Sequence, residues 1–130
     1  MRDYNKNIVV TASILAAITI AIGAFGAHGL KQLVDAKSVA TFENGVRYQM
    51  YHCLALLVVG FAKPISENTK KWVFRFFLFG IIFFSGSIYL LALKEVLPFN
   101  VSFLGPITPI GGLFFIVGWL WLARGLYSLK

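Results

Sequence analysis

Long uncharged runs alternate with short polar breaks along this chain. Residues 8–26 carry no charge, and neither do 76–93 or 96–123. Crossing about 30 Å of hydrocarbon takes about 20 helical residues, so each run predicts a membrane-spanning helix. In the last run Pro98, Asn100, Pro106 and Pro109 interrupt the first half. That helix is therefore expected to start near Gly105 or Pro106 and to end at Arg124. The second run is the awkward one. The uncharged stretch between Arg47 and Lys63 is only about 15 residues, or 22 Å of helix. Snorkelling of Arg47 and Lys63 would lengthen it, and shelter by neighbouring helices would relieve it. Either way an amphipathic segment, starting near Ser38, is expected to lead into it, with Glu43 and Arg47 as an i,i+4 pair. The pattern predicts an all-α, integral membrane bundle of four helices over about 8–28, 40–62, 72–95 and 105–124, forming one domain.

Composition agrees with the pattern. Charged residues make up 13% of the chain and apolar ones 58%; a soluble domain carries about 25% charged residues. The net charge of +7 does not point to nucleic acid, because the basic residues flank oily segments and no basic patch interleaves with aromatics on a polar module. Four crossings would place Arg2, Lys6, Lys63, Lys70, Lys71, Arg75, Arg124 and Lys130 on one side, and Lys31, Lys37, Arg47 and Lys94 on the other. The richer side is the cytoplasmic one, so both termini are expected there, with Trp72 and Trp121 near that interface. The first run is longer than the 7–15-residue core of a signal peptide and is expected to stay in place. The single cysteine, Cys53, excludes an internal disulfide and reads as a small buried apolar residue.

Helices in lipid associate through close packing and interhelical hydrogen bonds. Ala12, Ala16, Thr19, Gly23 and Ala27 form one small-residue stripe on the first helix; Ala17, Ala21, Ala24 and His28 form another. Two such faces predict two neighbours and a central position. Gly111, Gly118 and Gly125 form a stripe on the fourth helix. The phenylalanine row of the third helix, Phe74, Phe76, Phe77, Phe79, Phe83 and Phe84, reads as lipid-facing bulk.

Four crossings also gather the polar side chains in one half of the bilayer. His28 ends the first helix on the outer side, and the second helix carries Tyr48, Gln49 and His52 in from there. The third brings Ser85, Ser87 and Tyr89, and the fourth begins with Thr108. Polar groups at membrane depth need partners. Interhelical hydrogen bonding is one reading of the cluster; a small ligand site formed by His28, Tyr48, Gln49, His52, Ser85, Tyr89 and Thr108 is the other. Ala16, Gly23, Ala27, Gly111 and Gly118 are the expected packing positions.

These residues also carry a resemblance. GAFGAHGL (23–30), YQMYHCLALL (48–57), SGSIYLLAL (85–93) and GPITPIGGLFFIVGW (105–119) resemble the YgdD/YwdK-like family of small bacterial membrane proteins, in order and over nearly the whole chain. Cys53 stands where a residue such as alanine is expected. The resemblance implies a four-helix protein of the bacterial cytoplasmic (inner) membrane, and it brings neither an activity nor a catalytic residue.

Four function classes follow. A non-enzymatic scaffold or accessory protein would use its small-residue stripes to bind another membrane protein or a second copy of itself. A small transporter or channel would need a titrating group in the membrane; Asp3, Asp35, Glu43, Glu67 and Glu95 all fall outside the runs, which leaves His52. A haem- or quinone-binding protein would use His28 and His52, and haem proteins of this type hold their histidines deeper. An intramembrane hydrolase would set Ser85 or Ser87 beside His52, with no acidic orienter and no HExxH or GxSxG motif. The first class is the expected one. It needs no cofactor and no metal, and its partners are membrane lipids and a protein of its own or another kind.

Overall fold

The computed structural model describes residues 3–129. Arg2 and Lys130, both used in the charge count, lie outside them. Four long helices run α1 Lys6–Ala27, α2 Ala36–Phe61, α3 Glu67–Ala92 and α4 Ile107–Tyr127. Each start follows from a cap. The Asn5 side chain accepts from Ile8 N–H, Asp35 from Ser38 N–H and Ser66 from Thr69 N–H, satisfying amides that a helix leaves free at its first turn. Pro106 precedes α4, where its missing N–H costs nothing. The first three helices therefore start earlier than hydropathy suggests, because the cap lies in the polar break and not in the oily run.

Three stretches, Lys6–Gln32, Glu67–Ala92 and Ser102–Tyr127, are long and apolar enough to cross a membrane. α2 is long enough and not apolar enough, because Lys37, Glu43, Asn44, Arg47, Gln49 and His52 all lie on it. The amphipathic lead-in is continuous with the rest of α2. The expected Glu43–Arg47 pair is absent among the described residues; Arg47 donates to Asn44 Oδ1 instead, one turn away.

The helices pack in chain order, with α2 and α3 between α1 and α4. α1 lies almost entirely on α2, and α4 almost entirely on α3, while α2 and α3 join the two pairs. The central position expected for α1 is thus corrected. Its Ile8, Ala12, Thr19 and Gly26 are buried against α2, with Ala16 and Gly23 half-buried, whereas Ala17, Ala21, Ala24, Ala27 and His28 are exposed. Only one small-residue stripe is used. Its glycines admit α2 side chains: a Cβ on Gly26 would lie 2.9 Å from the Phe42 ring, and one on Gly23 would lie 3.3 Å from Val46.

The α3–α4 pair is tighter still. A Cβ on Gly111 would lie 2.2 Å from the backbone nitrogen of Phe84, and one on Gly118 would lie 2.6 Å from the Phe77 ring. Gly111 and Gly118 are therefore consumed inside the molecule and are not free to receive a partner. α3 meets Gly111 where its backbone widens into a π-helical segment, Ile81–Gly86. The expectation that the whole phenylalanine row faces lipid is corrected at Phe77, which is fully buried in the core with Leu56, Val73 and Phe115.

Candidate functional site

The polar residues singled out from the sequence divide into three groups. In the first, α2 and α3 bond directly: Tyr89 donates to Gln49 Oε1 at 2.6 Å, and Ser85 donates to the Gly45 carbonyl at 2.7 Å. A hydroxyl next to a helical carbonyl that already accepts within its own helix uses the second lone pair of that oxygen. Gly45 makes the approach possible, since a Cβ there would lie 2.8 Å from the Tyr89 ring.

The second group ties α3 to α4. Ser87 Oγ and Thr108 Oγ1 lie 2.5 Å apart. Ser87 also lies within hydrogen-bond reach of the carbonyls of Phe83 and Phe84, and Thr108 of that of Leu104. These bonds fall where the π-helical segment ends, and the Ser87 N–H also bonds the Phe84 carbonyl there.

The third group surrounds His52, which is 4% exposed. Its imidazole stacks on Phe115 with ring centres 3.7 Å apart and meets the edge of Phe77 at 4.8 Å. Trp119 Nε1 donates to His52 Nε2 at 3.0 Å, and His52 Nδ1 lies 2.6 Å from the Tyr48 carbonyl. An indole N–H only donates. Nε2 is therefore the acceptor, Nδ1 carries the hydrogen, and the ring is neutral with both nitrogens engaged. One level along, Thr19 Oγ1 of α1 donates to the Leu15 carbonyl and lies 3.8 Å from Cys53 Sγ. The reading of Cys53 as a small buried residue matches this placement.

Two residues stand apart. Tyr48 is 42% exposed and packs its ring on Phe84 at 4.8 Å rather than joining the hydrogen-bonded groups. His28 caps α1 and is exposed. Cys53, beside His52, is level with Thr19, and His28 lies nine positions further along α1, about 13 Å of helical rise. The two histidines do not share a site. Among the described residues no buried side-chain nitrogen or oxygen lacks a partner.

Two contributors went unread in the sequence. Trp119 is one; its ring is 45% exposed at the bundle surface while its N–H reaches inward. Its position on α4, seven residues from Gly112 and far from His52 in sequence, carries no signal of the pairing. Lys70 is the other. It is 1% exposed, and its Nζ donates to the Gly60 carbonyl at 3.1 Å near the end of α2, with Glu67 at 3.9 Å. A lysine near a helix C-terminus satisfies a free carbonyl and opposes the helix dipole. Hydropathy reads such a lysine only as a boundary.

Together these features define a small, all-helical membrane protein whose internal polar groups bond one another across helices. The chain belongs to the DUF423 family, described as a protein of unknown function, which matches residues 22–112. It is 41% identical over 124 residues to a UPF0382 membrane protein of Staphylococcus saprophyticus, covering 95% of this chain and 99% of the relative. The UPF0382 membrane protein YwdK of Bacillus subtilis is 38% identical, over 88% of this chain and 91% of that protein. One from Haemophilus influenzae is 39% identical over 85% and 86%. No solved structure matches the chain. The YwdK-like resemblance read from the four motifs is thus borne out.

Proposed function

We propose that this protein is a non-enzymatic scaffold or accessory protein of the bacterial cytoplasmic membrane, crossing it four times with both termini inside. The observation that carries this reading is the saturated interior. His52, Gln49, Ser85, Ser87, Tyr89 and Thr108 are bonded to other protein groups, as interhelical connectors worth about 0.6–2 kcal/mol each. A catalytic or transport site needs at least one such group turned to a ligand. Haem ligation by His52 would require Trp119 to leave Nε2, and His28 is too far along α1 to supply a second ligand.

α2 crosses as the fourth span with Gln49 and His52 buried against other helices, while its exposed Lys37, Asn44 and Arg47 lie towards the end where it enters, a placement the burial pattern supports. The uncovered Ala17, Ala21 and Ala24 on α1 support a helix-sized partner, since small residues let backbones approach. That partner is a second copy or another membrane protein. The test is the mass of the complex extracted in native lipid, for the natural chain and for Ala17→Leu/Ala24→Leu. Both positions are exposed, so the fold tolerates the change. A larger species that collapses to the monomer in the variant supports the reading. A monomer in both, or proton flux in liposomes abolished by His52→Ala, overturns it in favour of a histidine-based transporter.

A further inference from the structure

The end of the bundle that holds the start of α1 and the end of α4 has a feature that the interior lacks: cations without carboxylate partners bordering an open groove. The start of α1 and the first turns of α3 diverge there around a groove of about 400 Å³, lined by Asn5, Asn7, Ile8, Glu67, Lys71, Phe74 and Arg75. Lys71 and Arg75 are one helical turn apart, so both project to the same side of α3. Among the described residues neither forms an ion pair; the two ion pairs present are Lys63–Asp3 and Lys70–Glu67.

The one acid in the groove is already engaged. Asn5 Nδ2 donates to Glu67 Oε2 at 2.7 Å, and the buried Lys70 Nζ lies 3.9 Å from Oε1. The rim is therefore net positive, and the N-terminus of α1 adds to that potential. Ile8 is buried and Phe74 half-buried, so the wall towards the bilayer centre is apolar. Trp72 lies beside both cations, with Arg75 4.9 Å and Lys71 5.6 Å from its ring centre. Tryptophan flanked by basic residues marks the headgroup level.

We infer that this groove binds the phosphate of an anionic glycerophospholipid. Lys71 and Arg75 contact the phosphate oxygens, the Asn7 amide faces the glycerol, and the first acyl carbons run over the half-buried Phe74. A basic pocket between helices, at the level of the headgroups, is the arrangement that suits such a ligand. A free phosphate would use the same cations and would leave the apolar wall uncovered. The inference needs a bilayer and no particular orientation in it.

The probe is phosphatidylglycerol, with phosphatidylcholine and inorganic phosphate as comparison ligands. Native mass spectrometry of the detergent-purified chain reads retention of lipid. The natural chain is expected to hold one phosphatidylglycerol and to bind it about tenfold or more tightly than Lys71→Gln/Arg75→Gln, while Lys37→Gln at the opposite end leaves binding unchanged. Lys71 and Arg75 are exposed, so an unchanged thermal midpoint is expected alongside. A photoactivatable phosphatidylglycerol supplies a readout without variants: attachment within residues 5–8 or 71–75 supports the site. Equal retention of phosphatidylcholine, equal retention by the double variant, displacement of the lipid by excess inorganic phosphate, or attachment confined to other segments overturns it.

Discussion

His52 shows how little freedom a polar residue keeps once a bundle closes around it. Its tautomer is set by Trp119, which can only donate, and its ring plane by Phe115. Substituting Trp119 with Phe keeps most of the packing and removes the donor, leaving a buried nitrogen unpaired at a cost of about 1–3 kcal/mol. Thermal unfolding in detergent measures this. In a double-mutant cycle with His52→Phe the two changes are expected to be non-additive by about 0.6–1.7 kcal/mol; additivity would mean that the bond contributes nothing. Outside the helices, Asp35 carries a pH dependence of its own. The Ser38 N–H held by its carboxylate lowers its pKa below the ordinary 3.8. A lowered carboxylate pKa stabilises the fold fully above the unfolded value, and that contribution is lost as pH falls through the folded one. Asp35→Asn keeps a cap and should flatten the melting temperature across that acid window while leaving the neutral value nearly unchanged. At this scale the sequence identified which polar residues matter, because polar groups in oily runs need partners. It could not pair them: Gln49 with Tyr89, or His52 with Trp119, depends on helix rotation that no single run of residues encodes.

Among the elements, α3 departs most from what hydropathy describes. A uniform apolar run predicts a uniform helix, yet Ile81–Gly86 winds as a π-helix. The segment lies where Gly111 of α4 brings backbone against backbone at Phe84. Hydropathy within residues 81–86 does not announce it, and the close approach it accompanies involves a residue on another helix. Gly111 and Gly112 make a sharp comparison. Gly111→Ala sets a Cβ 2.2 Å from a main-chain nitrogen, whereas the nearest atom to a Cβ on Gly112 is 3.8 Å away. The first is expected to destabilise by about 3 kcal/mol or more; the second stays within about 0.5 kcal/mol. Chemical unfolding of the two variants separates them, and equal effects would contradict the tight α3–α4 crossing. The stripe on α4 was legible as a packing face, and the structure adds that α3 already occupies it. The two stripes on α1 looked equivalent in sequence, because spacing alone does not record which side α2 approaches from.

At the scale of the whole molecule, the asymmetry of charge survives in three dimensions. Lys6, Lys63, Lys70, Lys71, Arg75 and Arg124 gather at the end where Asn5 N–H meets the Gly60 carbonyl, and Lys31, Lys37, Arg47 and Lys94 belong to the other. With Cys53 replaced by Ala, single cysteines at Lys63 and Lys31 are expected to label from opposite faces of inverted and right-side-out vesicles, Lys63 from the cytoplasmic one; the reverse pattern would refute the proposed orientation. All-helical architecture and family were readable from the sequence because oily runs and four ordered motifs are properties of the chain itself. The serial arrangement of helices was not, since it depends on which of several compatible faces meet.

That serial arrangement divides the chain into two hairpins, α1–α2 and α3–α4, packed together through α2 and α3 and connected by the Lys63–Ser66 bend. Severing the polypeptide at that bend should therefore leave two halves able to find each other in a bilayer. Co-expressed pieces 1–63 and 64–130 are expected to be recovered as one assembly, with Tyr89, Ser85 and Trp119 supplying the clasp and Gln49, Gly45 and His52 its eye.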